Sequence, residues 1–414
     1  MSWHRNTDFF ALAAEFGSPV WIYHAATIKA QIARLRSFDV IRFAQKACSN
    51  LHVLRLMREQ GVMVDAVSLG EIERALAAGY TPGDGDANLV LTSDLLDHAT
   101  LARVVELKIE VNCGSIDMLR QLGQVSPGHR VWLRINPGFG HGHSNKTNTG
   151  GENSKHGIWH QQLPQALEVI RTLGLHLAGL HMHIGSGVDY GHLQQVCAAM
   201  VELVAQARQL GHDLEAISTG GGLSIPYRAE EADEEVDTAH YFQLWHAARQ
   251  QIEGMLGHPV RLEIEPGRFL VAQAGALLAE VRAIKMQGTQ QFVLVDAGFN
   301  DLMRPAMYGS YHHISRLTQR AGALAGEQAY VVAGPLCESG DVFTQLEGGV
   351  VQTRSLPELA VGDLLLFHDT GAYGASMSSN YNSRPLLAEV LLEDGKPRLI
   401  RRKQTIQELL QLEQ

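Results

Sequence analysis

The turn Glu265-Pro266-Gly267-Arg268 closes an apolar run, Val260 to Ile264. A strand ending in a carboxylate, followed by a Pro-Gly turn and a guanidinium, puts opposite charges at one sheet edge. Four other patches read as ends of similar strands: Phe43-Ala44-Gln45-Lys46-Ala47, His181-Met182-His183-Ile184-Gly185-Ser186, Gly220-Gly221-Gly222, and Val131 to Asn136. A lysine at the end of a buried strand loses water, which favours the neutral amine that can form a Schiff base. Three consecutive glycines let backbone N–H groups approach an anion closely. Arg268 can add a charge-assisted contact to a phosphate or to a substrate carboxylate. Each type also has a plainer use: the lysine and arginine in ion pairs, the glycines as a connector.

Residues so far apart meet only if a repeating architecture delivers strand ends to one rim. From about residue 40, extended and helical segments alternate. The strands expected are Val40 to Lys46, Val62 to Ser68, Asn88 to Thr92, Ile109 to Cys113, His129 to Asn136, Leu175 to His183, Leu214 to Thr219 and Val260 to Glu265. Eight strand-helix units over this length fit an α/β fold of the (β/α)8 TIM-like barrel type, whose chemistry gathers at the C-terminal strand ends. A doubly wound sheet is the rival, but the Gly-x-Gly-x-x-Gly turn expected after its first strand is missing. After about residue 275, short runs such as Phe292 to Val295, Tyr330 to Ala333 and Leu364 to Phe367 indicate a β-sandwich or small β-barrel. The expected division is a barrel over 21–275, with 1–20 and 276–414 forming a β-rich domain that completes the active site and the dimer interface. Pro19 to Tyr23 could lend a strand to that second domain.

Composition narrows the function. A chain of 414 residues exceeds one ordinary core. Its 34 basic and 44 acidic residues, net −10, argue against a nucleic-acid or anionic-membrane working face. No apolar run approaches the ~20 residues of a membrane span, and the polar N-terminus does not read as a signal peptide. Cys48, Cys113, Cys197 and Cys337 show no repeated spacing, which suits free thiols in a reducing cytoplasm.

A carboxylate facing a pyridine nitrogen keeps that nitrogen protonated and makes the ring an electron sink. Lysine, histidine, triple glycine and Glu265 with Arg268 therefore suit pyridoxal 5'-phosphate (PLP), with His183 flat on the ring and Ser186 reaching the phosphate. His181 and His183, alternate residues on one face, are alternatively a metal pair, but no third ligand stands at suitable spacing, so no metal is expected. His141/His143 and His312/His313 read as polar loop residues. In the second domain, Asp301 to Gly309, Cys337-Glu338-Ser339-Gly340-Asp341 and Gly371-Ala372-Tyr373-Gly374 look like recognition loops. Two acidic neighbours disfavour a Cys337 thiolate, so this thiol suits a proton donor better than a nucleophile. The alternative for Cys337 is an inert core cysteine.

The order Lys46, His-Ile-Gly-Ser, Gly-Gly-Gly, Glu-Pro-Gly-Arg, Cys-Glu-Ser-Gly-Asp and Gly-Ala-Tyr resembles the fold-type III PLP-dependent decarboxylases. Within them it is most similar to the diaminopimelate decarboxylase family, over nearly the whole chain. The resemblance implies that Lys46 carries the cofactor, that His183 stacks on its ring, and that Gly222, Ser186 and Arg268 hold its phosphate, with Glu265 on the ring nitrogen. It assigns substrate contacts to Arg268, Arg304, Tyr308, Glu338 and Tyr373, the last also near the cofactor, and makes Cys337 the proton donor to Cα. The reaction implied is decarboxylation of meso-2,6-diaminopimelate to L-lysine and CO2, the last step of lysine biosynthesis. The Cys-Glu-Ser-Gly-Asp loop would enter the partner's active site, implying a homodimer with shared sites. The lysine motif departs from the usual Tyr-Ala-x-Lys-Ala-Asn, reading Phe-Ala-Gln-Lys-Ala-Cys-Ser-Asn, which bears on subgroup and leaves the lysine intact.

Chemistry supports that substrate. Its distal end is a second amino-acid head, needing a cation for the carboxylate and an anion for the ammonium, and Arg304 and Glu338 supply one of each. Ornithine ends in ammonium alone, which a buried arginine would repel. The rivals are a decarboxylase of ornithine, arginine or carboxynorspermidine, and a non-catalytic homologue that binds PLP or a partner. Retention of Lys46 and Cys337 speaks against the latter. An alanine-racemase-like enzyme would not be expected to place glutamate on the ring nitrogen.

Overall fold

The computed structural model describes residues 3–83, 88–140, 149–183, 185, 189–228, 230–231, 235–320 and 326–414. They form two compact units, one of Gln31–Ser224 with Val236–Phe269, the other of Met1–Ala30, Ile225–Glu235 and Leu270–Gln414. The first strand in the chain, β1 (Val20–His24), belongs to the second unit; the next nine build the first.

Those nine are β2 (Val40–Ala44), β3 (Met63–Ala66), β4 (Leu89–Ser93), β5 (Glu110–Cys113), β6 (Arg130–Asn136), β7 (Ile158–Trp159), β8 (His176–His181), β9 (Ala216–Ser218) and β10 (Arg261–Ile264). Apart from β7, a two-residue strand paired with β6, they close into an eight-stranded parallel barrel in the order β5-β4-β3-β2-β10-β9-β8-β6, with β5 also pairing β6. The β2 and β3 strands show why the run is apolar: Val40, Ile41, Phe43, Val64 and Ala66 are all buried. A parallel strand covered on both faces needs a continuous rather than an alternating apolar pattern. One exception is an ion pair. Arg42 of β2 and Glu263 of β10, both buried, meet at 2.6 Å. The helices that follow the strands start on polar caps: Asn50, Ser68, Asp97, Ser115, Asp189 and Asp237 each accept a hydrogen bond from a backbone N–H of the first turn.

The second unit is a mixed β-sheet. Its further strands are β11 (Gly275–Gln287), β12 (Gln290–Val295), β13 (Ile314–Leu317), β14 (Glu327–Ala333), β15 (Arg354–Pro357), β16 (Leu364–Phe367), β17 (Ala388–Glu393) and β18 (Lys396–Arg401). The path runs β15-β14-β12-β11-β1-β17-β18, with β16 pairing both β11 and β13. One core gathers Val20, Ile22, Leu278, Leu366 and Val390 under Trp3, Phe9 and Leu12.

Three details depart from the sequence reading. A barrel limit at residue 21 cuts β1, whose backbone is hydrogen-bonded to β11 and β17 and so belongs with the β-rich unit. Residues 225–235, inside the barrel's stretch of sequence, also group with that unit. Several barrel strands stop short of their expected ends: Lys46 lies in a single 3-10 turn, Gln45–Ala47, beyond β2, and His183 lies two residues beyond β8.

Candidate active site

The barrel delivers its chemistry to the C-terminal ends of β2, β8, β9 and β10. Glu265 follows β10 and is buried, with its Oε2 accepting from His181 Nε2 at 2.7 Å. Burial pushes this carboxyl up, but His181, Arg42 and Arg134 outweigh it and hold it below the usual carboxylate range. The turn after Glu265 packs on the lysine turn. Ala44 N–H donates to Pro266 O at 3.2 Å, and a Cβ at Gly267 would lie 3.3 Å from both Ala44 O and Ala47 Cβ. Glycine at that place lets the turn after Glu265 pack against the turn that carries Lys46.

The triple glycine is tied to the same rim. Glu265 N–H donates to Gly220 O at 2.8 Å, and Gly221 N–H donates to His183 Nδ1 at 3.2 Å. A Cβ at Gly220, Gly221 or Gly222 would meet a backbone oxygen at 2.4, 2.6 or 2.4 Å respectively, and Gly220 and Gly222 have φ of +64° and +104°. Only glycine fits this cradle. Burial, with Arg134 and Lys46 adding, drives the His183 imidazole well below its ordinary range, so it is neutral. Arg268 is half-buried directly after the turn. Lys46 itself is exposed, in a turn that carries it past the buried strand. Ser186, His141 and His143 lie outside the described residues.

The β-rich unit holds the other candidates. Arg304 and Tyr308 begin and end one short helix, and Arg304 is buried. Cys337 and Glu338 are exposed. Within the recognition loops, Asp301 and Asp341 are anchors. Both are buried; Asp341 accepts from the N–H groups of Phe299 and Leu336, each at 2.7 Å, and Asp301 from Gly298 N–H at 3.0 Å. Cys337 N–H is held in turn by Asn382 Oδ1 at 2.8 Å. Tyr373 takes φ +57°, in the left-handed region; a strained tyrosine persists only where its surroundings fix it. Glu338 has Tyr381 as its neighbour, while Arg304 has Tyr227, Ser310 and His312.

His181 and His183 are committed to Glu265 and Gly221, and among the described residues no cluster of three metal-binding side chains exists. PLP fits: the backbone cradle excludes any side chain, and Glu265 is an ionised carboxylate of the kind a protonated ring nitrogen requires. His181 was singled out only as a possible metal ligand, and Asp65 was not singled out at all. Asp65 is a carboxylate inside the apolar run Val62 to Ala66, which is itself a signal. Burial, with Glu265 adding, raises its carboxyl well above the usual range, and its Oδ1 has no partner among the described residues.

Residues 25–272 match the model of the pyridoxal-dependent decarboxylase family's pyridoxal-binding domain. The chain is 69% identical over 408 residues to a diaminopimelate decarboxylase of Escherichia coli, covering 98% of this chain and 96% of that one. It is 66% identical over 401 residues to one of Streptomyces coelicolor, covering 97% and 90%. Among solved structures, a diaminopimelate decarboxylase superposes with a TM-score of 0.94 at 68% identity, covering 98% of this chain and 96% of that one. The Helicobacter pylori enzyme, crystallised with L-lysine, superposes at 0.88 with 30% identity, covering 98% and 99%. With the Glu265 turn, the glycine cradle and the lysine turn on one barrel rim, these likenesses place the chain in the diaminopimelate decarboxylase family of pyridoxal-dependent decarboxylases.

Proposed function

We propose that this chain decarboxylates meso-2,6-diaminopimelate to L-lysine and CO2, the last step of lysine biosynthesis, as a cytoplasmic homodimer whose subunits share active sites. The observation that carries the chemistry is the buried, ionised Glu265 beside the lysine turn. When bound, PLP supplies an electron sink for the pair left on Cα as CO2 departs. Glu265 holds a proton at the ring nitrogen, and His181 keeps that carboxylate in place. The amides of Gly220 to Gly222, with Ser186 and Arg268, bind the phosphate. His183, neutral and tethered to Gly221, packs on the ring without adding charge. Lys46, exposed at the rim, holds the cofactor by its amine and is open to displacement by the substrate's amino group. Arg304, with Arg268, Tyr308 and Tyr373, receives the substrate, and Cys337 returns a proton to Cα.

The dimer reading is supported by where the loop's chemistry lies. Cys337 and Glu338 are exposed, yet their loop is pinned from beneath by Asp341. A rigid, polar, solvent-facing loop suits delivery to a partner, with Glu338 of the partner subunit meeting the distal ammonium. The cytoplasmic reading is supported by four free cysteines.

The test is direct. Purified protein with PLP and meso-diaminopimelate is expected to release L-lysine and CO2 in equal amounts. Lys46→Ala is expected to release neither, and ornithine to remain unreacted. A cofactor spectrum without lysine would retain the PLP site and overturn the substrate.

A further inference from the structure

We propose that His312 is a positioning residue that aims the Arg304 guanidinium at the substrate's distal carboxylate. The proposal rests on the role given to Arg304 above. Arg304 Nη1 donates to Tyr227 Oη at 3.0 Å and lies 3.2 Å from His312 Nε2, while Nη2 donates to Ser310 Oγ at 3.2 Å. The guanidinium carbon also sits 5.0 Å from the centroid of the Tyr227 ring. These three partners orient the cation.

The contacts of His312 define its tautomer. A guanidinium has no lone pair to offer, so Nε2 must accept from Arg304. A carbonyl has no proton to offer, so Nδ1, 2.9 Å from His368 O, must donate. Only the neutral ring with its proton on Nδ1 satisfies both. The carbonyl behind it is fixed: His368 N–H donates to His313 O at 2.8 Å, His368 Nε2 meets Ser315 Oγ at 2.8 Å, and β13 and β16 pair alongside through Ile314 and Phe367. His312, only 3% exposed, is therefore a strut between a sheet end and the guanidinium. Arginine recognises a carboxylate through a planar fork, and a strut that fixes the plane spares the long side chain an ordering cost on binding. His312 does lie in a loop, between the Arg304–Tyr308 helix and β13, but where its neighbour His313 is exposed, His312 is buried and engaged at both nitrogens.

Two substitutions separate positioning from mere structure. His312→Asn keeps a donor for His368 O and is too short to reach Arg304. His312→Gln extends an acceptor toward Arg304 and gives up the inner bond. Each is assayed as holoenzyme for KM and kcat with meso-diaminopimelate, and for dissociation of L-lysine, which retains the distal head, and of cadaverine, which lacks the carboxylate. His312→Asn is expected to raise KM and the L-lysine Kd about tenfold, the scale of one hydrogen bond to a charged group. Its kcat should stay within about twofold and cadaverine binding should be unmoved, while His312→Gln remains near wild type. A harmless His312→Asn, a His312→Gln that is the more damaging, or equal weakening of L-lysine and cadaverine would overturn the proposal. Arg304→Lys separates the two levels. If it leaves the preference for L-lysine over cadaverine intact, the role of Arg304 falls; if it abolishes that preference while His312→Asn does not, the positioning alone falls.

Discussion

At the scale of single residues, two carboxyls drawn wholly or partly out of water in this protein meet opposite fates. Glu265 is as buried as a barrel interior demands, yet His181, Arg42 and Arg134 keep it ionised. Asp369, in the loop leading to Tyr373, meets only the cost of burial, which raises its carboxyl to about 7. An aspartate in an unfolded chain titrates near about 3.9. The folded state therefore holds the proton more tightly, and ionisation costs stability progressively as pH rises from about 4 to 7. Asp369→Asn cannot ionise, so it should melt above the wild type at pH 8, with the difference shrinking toward pH 4. Calorimetry at the two pH values checks this; an equal difference at both would mean that Asp369 has a compensating partner when charged.

At the scale of elements, the rim depends on turns that admit no Cβ. Gly222 combines a φ of +104° with a Cβ position 2.4 Å from Gly185 O. Gly222→Ala should cost roughly 1–3 kcal/mol in urea unfolding and weaken PLP retention, because the amide proposed to bind the phosphate must move. Gly254, inside the helix Thr238–Leu256 with nothing within 4 Å of its Cβ position, is the contrast. Gly254→Ala should stabilise by up to about 1 kcal/mol. If both substitutions behaved alike, the cradle would not be the constraint argued here. These turns also show what was legible beforehand. Eight apolar runs separated by helical segments announced the barrel, and Glu-Pro-Gly-Arg announced a charged rim. The extra turn that lifts Lys46 beyond β2 into solvent was not legible, because strand length is decided by where pairing with β3 and β10 stops.

At the scale of the whole molecule, the shared-site dimer makes a quantitative expectation. Lys46→Ala and Cys337→Ala, each expected to be inactive as a homodimer, should regain activity when mixed after subunit exchange. Half of the dimers would be hybrids with one intact site of two, giving about a quarter of wild-type activity if the assembly is a symmetric pair. No recovery, with hybrids shown to form, would put Lys46 and Cys337 in the same subunit's site. The sequence by itself determined the barrel and its β-rich companion and the cofactor, and singled out Lys46, His183, Glu265 and Arg268 as the proposed attendants. These follow from local periodicity and from residue types with few alternative uses at strand ends. Tertiary structure alone decided that His181 holds Glu265, that Asp341 is an anchor, that Tyr227 travels with the β-rich unit, and that His312 braces Arg304. Each of these involves a pairing across tens of residues, His181 with Glu265, Asp341 with Phe299, Tyr227 with Arg304 and His312 with His368, a distance over which neither helical nor strand periodicity carries information.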